Sequence, residues 1–340
     1  MDCRDRVRHW IIENGLIGRG DRITAAVSGG PDSMAMLSIL HQLSAELGFS
    51  LSAAYLDHRI RKGTRREKRI VEIWCGRFGI PLVAGEADVP ALARREKTGL
   101  EEAAREARYR FLDGFEKVAL GHNSDDQVET VLHHIIRGTG LRGLAGMPVM
   151  RGRYIRPVLC CTGAELKAYC RAGGIAYAID RSNSDTAFLR NRIRHRLLPA
   201  VRRDFNPAVD EALLRLAGNA REGLAALSDG IADLVPAGAA DGSVTLDASL
   251  ARGLSEHRLY LLIDTVLRDR LGVFRDIGRT HFNAVAGLIR AGRSGKRTTL
   301  PHGVRVTVEH GSVRFEPVSY THLRAHETVL DLVCRLLLEK

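Results

Sequence analysis

The residues of this chain best suited to chemistry are six consecutive ones, Ser28-Gly29-Gly30-Pro31-Asp32-Ser33, which lie between an apolar run and a run with helical periodicity. Glycines let a backbone approach phosphate oxygens closely, and the hydroxyls and the first N–H groups of the following helix donate hydrogen bonds to them. The Asp32 carboxylate would repel a bare phosphate, so it is better suited to hold Mg²⁺ that bridges to phosphates. The segment contains neither the lysine of a P-loop nor the G-x-G-x-x-G pattern. An ordinary strand-to-helix turn is the alternative.

A second polar cluster follows the apolar run Val118-Ala119-Leu120 and comprises Gly121, His122, Asp126 and Glu129. Asp126 and Glu129 are three residues apart at the start of a predicted helix and therefore share a face. Such a pair suits a divalent cation or the ammonium group of an amine substrate, and His122 stands where a base or a phosphate ligand would be placed. The alternative is a helix N-cap with an acidic first turn.

Two further segments carry candidate residues. Asp57 and His58 end the apolar run of residues 51–56, where the carboxyl end of a parallel strand would face an adenosine. In the predicted helix of residues 100–111, Glu101, Arg105 and Arg108 lie on one stripe, and an arginine there could serve a phosphate or an adenylate. A solvated helix stabilised by i,i+4 ion pairs is the alternative for this stripe.

The elements that must position these residues alternate between strand and helix. Short apolar runs at 23–27, 51–56, 80–84 and 118–120 are separated by helical patterns. This order predicts an α/β fold with a doubly wound parallel sheet, followed by a smaller α+β domain. We place the first domain at residues 1–215 and the second at 216–317, with a helix over 202–226 and a loop between subdomains at 236–243. Residues 318–340 resemble translated sequencing-adapter sequence and are left out of the fold. Either the chain is a short form that ends before this tail, or the tail has replaced its natural C-terminus.

Composition restricts the partners. At 340 residues and 45% hydrophobic content, the chain is long enough for two domains with cores. A formal net charge of +11 predicts a nucleic-acid partner, with a merely soluble basic protein as the alternative. The six cysteines form no C-x-x-C pair, so free thiols are expected. Because no run of about 18 apolar residues and no secretory signal is present, we expect no membrane association and a cytoplasmic location.

The loop of residues 28–33 resembles the SGGxDS loop of the N-type ATP pyrophosphatases, or PP-loop superfamily, whose fold is the adenine-nucleotide α-hydrolase-like sheet. Further motifs occur in the order seen in the tRNA(Ile)-lysidine synthetase family, and the likeness spans most of residues 20–200. These motifs are Glu101-x-x-Ala104-Arg105-x-x-Arg108-Tyr109, Gly121-His122-x-x-x-Asp126-x-x-Glu129-Thr130, Arg137-Gly138-Thr139-Gly140-Leu141, Ile155-Arg156-Pro157-Val158-Leu159, Asp180-x-Ser182-Asn183-x-Asp185 and Arg190-Asn191-Arg192-Ile193-Arg194.

The resemblance implies a ligase that uses ATP and Mg²⁺ to attach L-lysine to C2 of the wobble cytidine of tRNA(Ile) with a CAU anticodon. It implies that Asp32 and Asp126 hold Mg²⁺, that Arg105 serves the phosphates, and that Asp126 and Glu129 bind lysine or metal. The substrate-binding residues would be Glu101, Arg108, Asp126, Glu129, Arg137, Arg142, Arg190 and Arg194. A homodimer is a further expectation. The alternatives are a tRNA 2-thiolase, a GMP- or NAD-forming amidotransferase partner and a non-catalytic tRNA-binding protein.

Overall fold

The computed structural model describes residues 2–60, 64–179, 189–236, 238–239, 241–273 and 277–317. The chain divides into two compact units, Met1–Arg221 and Glu222–Lys340. The division falls within one long helix, Val209–Asp229, which also contains the predicted domain boundary at residue 215. The adapter-like segment 318–340 and the motif at residues 180–185 lie outside the described residues.

The first unit is built on a six-stranded sheet in the order β3-β2-β1-β4-β6-β5. Every neighbouring pair is parallel except β5 and β6, which form an antiparallel hairpin. The predicted doubly wound parallel sheet is therefore confirmed. The strands are β1 (Arg22–Val27), β2 (Ser50–Asp57), β3 (Leu82–Glu86), β4 (Lys117–Leu120), β5 (Met150–Arg151) and β6 (Tyr154–Ile155).

Helices flank this sheet. The most buried is α2, in which Met34, Leu37 and Leu40 are fully buried, and Gly48 ends it in the left-handed region at φ 71°. The helices are α1 (Cys3–Glu13), α2 (Pro31–Leu47), α3 (Thr64–Arg77), α4 (Val89–Glu96), α5 (Leu100–Leu112), α6 (Ser124–Arg137), α7 (Leu141–Leu144), α8 (Gly163–Ala172), α9 (Leu189–Arg192), α10 (Leu198–Asp204) and α11 (Val209–Asp229), with a π-helical turn over Ile193–Leu197 between α9 and α10.

Two predicted elements differ from the observed ones. The third strand lies at Leu82–Glu86 rather than 80–84, because Pro81 lacks an N–H and the ladder with β2 begins after it. The helix predicted over 202–226 is interrupted between α10 and α11. Pro207 cannot continue α10, and the side chain of Asn206 accepts a hydrogen bond from the N–H of Ala208 at 2.9 Å, which starts the next helix.

The second unit has its own four-stranded sheet, with all neighbours antiparallel, in the order β7-β10-β9-β8. Helix α14 packs Phe282, Val285 and Ile289 into the same core as the buried faces of these strands. The connection 236–243 lies inside this unit, because Leu234 and Val244 on either side pack in that one core. The elements are β7 (Val244–Asp247), α12 (Ala248–Arg252), α13 (Glu256–Thr265), α14 (Arg279–Ala291), β8 (Arg297–Leu300), β9 (Val304–Glu309) and β10 (Ser312–Pro317).

No helix in the described ranges combines the length and apolar character needed to cross a membrane.

Candidate functional site

The strand order reverses between β1 and β4, and polar residues follow both strands at that point. From β1 the chain continues outward to β2 and β3, whereas β4 lies on the other side of β1 and continues to β6. Ligands of open parallel sheets bind at the carboxyl ends of the strands at such a reversal. Residues 28–33 follow β1 and Gly121-His122 follow β4, so the fold brings the two predicted clusters together.

The loop of residues 28–33 leads into the N-terminus of α2, where Gly30 is the N-cap and Pro31 opens the helix. The Ser33 hydroxyl donates to the carbonyl of Gly30 at 3.0 Å and accepts from the N–H of Ser28 at 3.2 Å, which ties the loop into a tight turn. Gly29 has a φ of 79°, and an added Cβ there would lie 3.1 Å from Glu67. Glycine is therefore required at residue 29 by both conformation and space.

Gly121 allows the end of β4 to touch this loop. A Cβ at Gly121 would lie 3.2 Å from the Cα and 3.3 Å from the backbone nitrogen of Ser33, and both of these are backbone atoms. The glycine at this position thus sets the separation between β4 and the start of α2.

Asp32 lies in the first turn of α2 and faces other carboxylates. Its Oδ1 is buried and has no hydrogen-bond partner among the described residues. Burial, followed by the negative charge of Asp126, raises the pKa of Asp32 to about 6. An orphaned carboxylate oxygen close to a second carboxylate fits Mg²⁺, which takes one or two protein carboxylates and completes its shell with phosphates and water. No group of three or more metal-ligating side chains occurs in the described ranges.

Two histidines flank the loop. Each has a buried Nδ1 with no hydrogen-bond partner within the described part of the chain. Burial, followed by the charge of Arg108, lowers the pKa of His58 to about 4, and burial, followed by the charge of Arg156, lowers that of His122 to about 4. Both imidazoles are therefore neutral at pH 7. The preceding Asp57 accepts from the N–H of Arg59 at 2.9 Å and so shapes the turn after β2.

Asp126 and Glu129 share one face of α6, as predicted. Both form ion pairs with two arginines, one in α9 and one in the π-helical turn that follows it. Glu129 is only 2% exposed. Arg190 donates from Nε to Glu129 at 2.9 Å and from Nη2 to Asp126 at 2.8 Å. Arg194 donates from Nη2 to Asp126 at 3.2 Å and to Glu129 at 3.0 Å, and its Nε also bonds to Glu129. Two of the predicted substrate-binding arginines thus neutralise the predicted acidic pair.

The predicted stripe on α5 is partly described. Arg105 is exposed and lies over the ring of Tyr109, with 5.1 Å between the guanidinium carbon and the ring centroid. The exposed Arg108 is close enough to His58 to lower its pKa. The side chain of Glu101 lies outside what the structure describes.

Arg137 and Arg142 lie on the glycine-rich segment after α6. Arg137 is exposed at the end of α6, and Arg142 is half-buried in the short helix α7. The buried Gln127 anchors the far end of the segment, because its Oε1 accepts from the N–H of Met147 at 2.7 Å and its Nε2 donates to the carbonyl of Ala145 at 3.2 Å. Gly146 is needed there, since a Cβ would lie 2.7 Å from the Gln127 amide.

Two residues of this region, Gln127 and Arg156, have roles that were not predicted from the sequence. Gln127 lies beside the predicted acidic residues, but only its long-range bonds to 145–147 reveal its function. Arg156 was part of a quoted motif and directly follows β6. The signal that could have identified it is that position, since residues after parallel strands line the crevice.

A parallel sheet that reverses its order beside a glycine-rich loop, with no lysine after the glycines, defines a nucleotide-binding domain of the PP-loop class. A family model described as the PP-loop domain matches residues 6–201.

The chain belongs to the tRNA(Ile)-lysidine synthase family, which confirms the resemblance of its motifs. The tRNA(Ile)-lysidine synthase of Dehalococcoides mccartyi is 36% identical over 330 residues, covering 90% of this chain and 68% of the relative. That of Geobacter sulfurreducens is 37% identical, covering 91% and 68%. That of Thermotoga sp. (strain RQ2) is 42% identical, covering 59% and 50%. The chain therefore spans about half the length of the Thermotoga relative and about two thirds of the other two.

Among solved structures, the U34-tRNA thiolase NcsA from Methanococcus maripaludis aligns with a TM-score of 0.51 at 16% identity, covering 64% of this chain and 77% of that one. At this identity the likeness concerns the fold alone.

Proposed function

We propose that this chain catalyses ATP-dependent attachment of L-lysine to C2 of the wobble cytidine of tRNA(Ile) with a CAU anticodon. The observation that carries the proposal is that two clusters meet at one edge of the sheet. They are the 28–33 loop and the carboxylates of the half-buried Asp126 and the buried Glu129. The identity to lysidine synthases over most of the chain supports the same reading.

In the first step the cytidine O2 attacks the α-phosphate of ATP, an adenylated cytidine forms and pyrophosphate leaves. The backbone N–H groups at the start of α2 and the Ser28 and Ser33 hydroxyls are suited to hold the phosphates. Asp32 and Asp126 would hold Mg²⁺, which would neutralise phosphate charge. Arg105 supplies a cation on the adenylate side, and His58 and His122 offer neutral nitrogens to the nucleotide.

In the second step the ε-amine of lysine attacks C2 and AMP leaves. The ε-ammonium must be held and then lose its proton, and a pair of carboxylates of which one is buried suits both requirements. Arg190 and Arg194 are bonded to the same oxygens, so lysine must share or replace these contacts. The proposal also assigns contacts with the tRNA to the other predicted substrate-binding residues, which are Glu101, Arg108, Arg137 and Arg142.

A thiolase reaction is supported only by the fold likeness at 16% identity. A cytoplasmic location and a homodimeric assembly are included in the proposal as expectations from the sequence.

The proposal is tested with the full chain, ATP, Mg²⁺, radiolabelled lysine and a tRNA(Ile) transcript with a CAU anticodon. We expect label in the tRNA, and no label when the wobble base is uridine. Asp32→Asn should abolish incorporation, whereas Glu13→Gln, at an exposed carboxylate of α1, should not. Folded protein that leaves the CAU transcript unlabelled would overturn the proposal.

A further inference from the structure

Arg156 lies at the carboxyl edge of the sheet beside the candidate site. Strands β4 and β6 are parallel, with Val118 opposite Tyr154 and Ala119 opposite Ile155. Continuing this register places residue 156 opposite Leu120, immediately before Gly121 and His122. The same register explains why the charge of Arg156 lowers the pKa of His122.

Arg156 is a buried cation that has no counter-ion among the described residues. Only 6% of the residue is exposed, and no carboxylate within the described ranges forms an ion pair with it. One guanidinium nitrogen, Nη1, donates to the carbonyl of Pro148 at 2.7 Å. The Nε is buried and bonded to nothing in the part of the chain that the structure describes. An unpaired buried charge is costly, so a site that retains one is suited to an anionic ligand.

The surroundings of Arg156 add positive rather than negative charge. Burial lowers its pKa, and the neighbouring cations Arg151 and Arg105 lower it further, while only the Tyr109 hydroxyl acts in the opposite direction. Three other buried polar atoms of the site share its lack of a partner among described residues. They are Asp32 Oδ1, His58 Nδ1 and His122 Nδ1. Orphaned donors and acceptors at one sheet edge indicate a polar ligand.

We infer that Arg156 binds a phosphate group of the nucleotide in the first half-reaction, a role that rests on the proposed function. Two anions could meet this cation, a nucleotide phosphate or a backbone phosphate of the tRNA. Its burial favours the nucleotide, because a surface duplex or loop of RNA would reach exposed arginines first. Arg156 lies beside Gly121, and Gly121 packs closely against Ser33 of the 28–33 loop. Arg156 is therefore near the loop that is suited to bind the phosphates.

The test measures binding of a non-hydrolysable ATP analogue and of pyrophosphate to the full chain without tRNA. We expect Arg156→Met to weaken both affinities by about tenfold or more, because a charge-assisted hydrogen bond is lost. Arg156→Lys should recover part of the affinity. The matched control is Arg153→Met, since Arg153 bonds to the carbonyl of Phe115 at 3.1 Å on an exposed part of the same hairpin.

A purely structural role, holding the Pro148 carbonyl, predicts a different result. It would lower the melting temperature of Arg156→Met while leaving analogue and pyrophosphate affinity unchanged, and that outcome overturns the inference. A loss of tRNA affinity with unchanged analogue affinity would also overturn it, in favour of an RNA phosphate. If Arg156→Met does not fold, Arg156→Lys and Arg156→Gln are compared in the same titrations. Binding of the ATP analogue does not require lysine transfer. A failure of the proposed reaction would therefore appear in the labelled-lysine assay and not in these titrations.

Discussion

Asp126 uses its two carboxylate oxygens for different purposes. Oδ2 accepts from the backbone N–H of Asn123 at 3.1 Å, and the Asn123 side chain accepts from the N–H of Asp126, which forms a capping box at the start of α6. Oδ1 faces the guanidinium groups of Arg190 and Arg194. The capping role and the functional role, alternatives in the sequence, are therefore both open to one side chain.

The first prediction concerns Glu129, whose carboxylate faces two arginines. For Glu129→Gln we expect tRNA-dependent pyrophosphate release to fall less than tenfold and lysine incorporation to fall by about a hundredfold, because a neutral amide cannot hold or deprotonate an ammonium group. The two steps are measured separately, by released pyrophosphate and by labelled lysine. Glu106→Gln, at an exposed i,i+4 ion pair of α5, is the control. Equal loss of both steps would assign Glu129 to a metal role instead.

The second prediction concerns the pH dependence set by His58. Its pKa is about 4 in the folded protein against an unfolded value near 6.5, so only the unfolded chain takes up the proton between these values. The neutral imidazole therefore contributes its full share to the free energy of unfolding above pH 6.5, and this contribution is lost as the pH falls toward 4. Arg108 and Asp57 are the charged groups that act on it, with opposite signs.

We therefore expect the free energy of unfolding of the wild type to fall, relative to His58→Asn, by on the order of 1 kcal/mol between pH 7.5 and 4.5. Urea unfolding followed by tryptophan fluorescence measures this in the first unit, because both tryptophans, Trp10 and Trp74, lie there. The exposed His9→Asn is the control. A parallel pH dependence of wild type and His58→Asn would contradict the prediction.

At the scale of elements, secondary structure was predicted correctly where several local sequence patterns agreed. The strand β1 and the helix α2 were predictable because an apolar run, two glycines and a regular helical stripe agree, and Gly48 marks the end of the helix. The hairpin β5-β6 was not, since two-residue strands carry no periodicity. The prediction of one helix over 202–226 was wrong at Pro207, because a proline cannot continue a helix even inside an otherwise helical pattern.

The third prediction tests the contact between two elements, the end of β4 and the start of α2. Gly121→Ala would place a Cβ 3.2 Å from the Cα of Ser33, so one backbone must shift by a few tenths of an ångström. We expect the KM for ATP in tRNA-dependent pyrophosphate release to rise about tenfold, because phosphate-binding groups lose their alignment. Gly114→Ala, where an added Cβ meets nothing within 4 Å, is the control. Equal KM values for the two variants would show that this contact does not position the loop.

At the scale of the whole molecule, the sequence located the site but not its internal pairing. Residues after successive parallel strands were predictable as a group, because topology alone brings strand ends together. The pairing of Arg190 and Arg194 with Asp126 and Glu129 joins residues more than 60 positions apart, and no local pattern specifies such contacts. Arg156 has no counter-ion in the part of the chain that the structure describes, and this too depends on burial in the assembled sheet.

The basic charge of the molecule is unevenly distributed. Residues 1–221 contain 36 Lys and Arg against 26 Asp and Glu, whereas residues 222–340 contain 15 against 14. Nearly all of the excess positive charge therefore belongs to the unit that carries the candidate site. If tRNA is the partner, its phosphates should be neutralised mainly by this unit.

The fourth prediction follows from that distribution and uses the full chain. We expect tRNA binding to weaken steeply as salt is raised from about 50 to 200 mM, because phosphate contacts release counter-ions. Replacing the exposed arginines Arg137, Arg192 and Arg196 with glutamine should lower the slope of log Kd against log salt by roughly one unit for each lost contact. The matched triple variant replaces Arg290, Arg293 and Lys296, which are exposed on the second unit, and should leave the slope nearly unchanged. A larger effect of the second triple would assign the tRNA contacts to the second unit, and a flat salt response of the wild type would exclude phosphate contacts as the source of affinity.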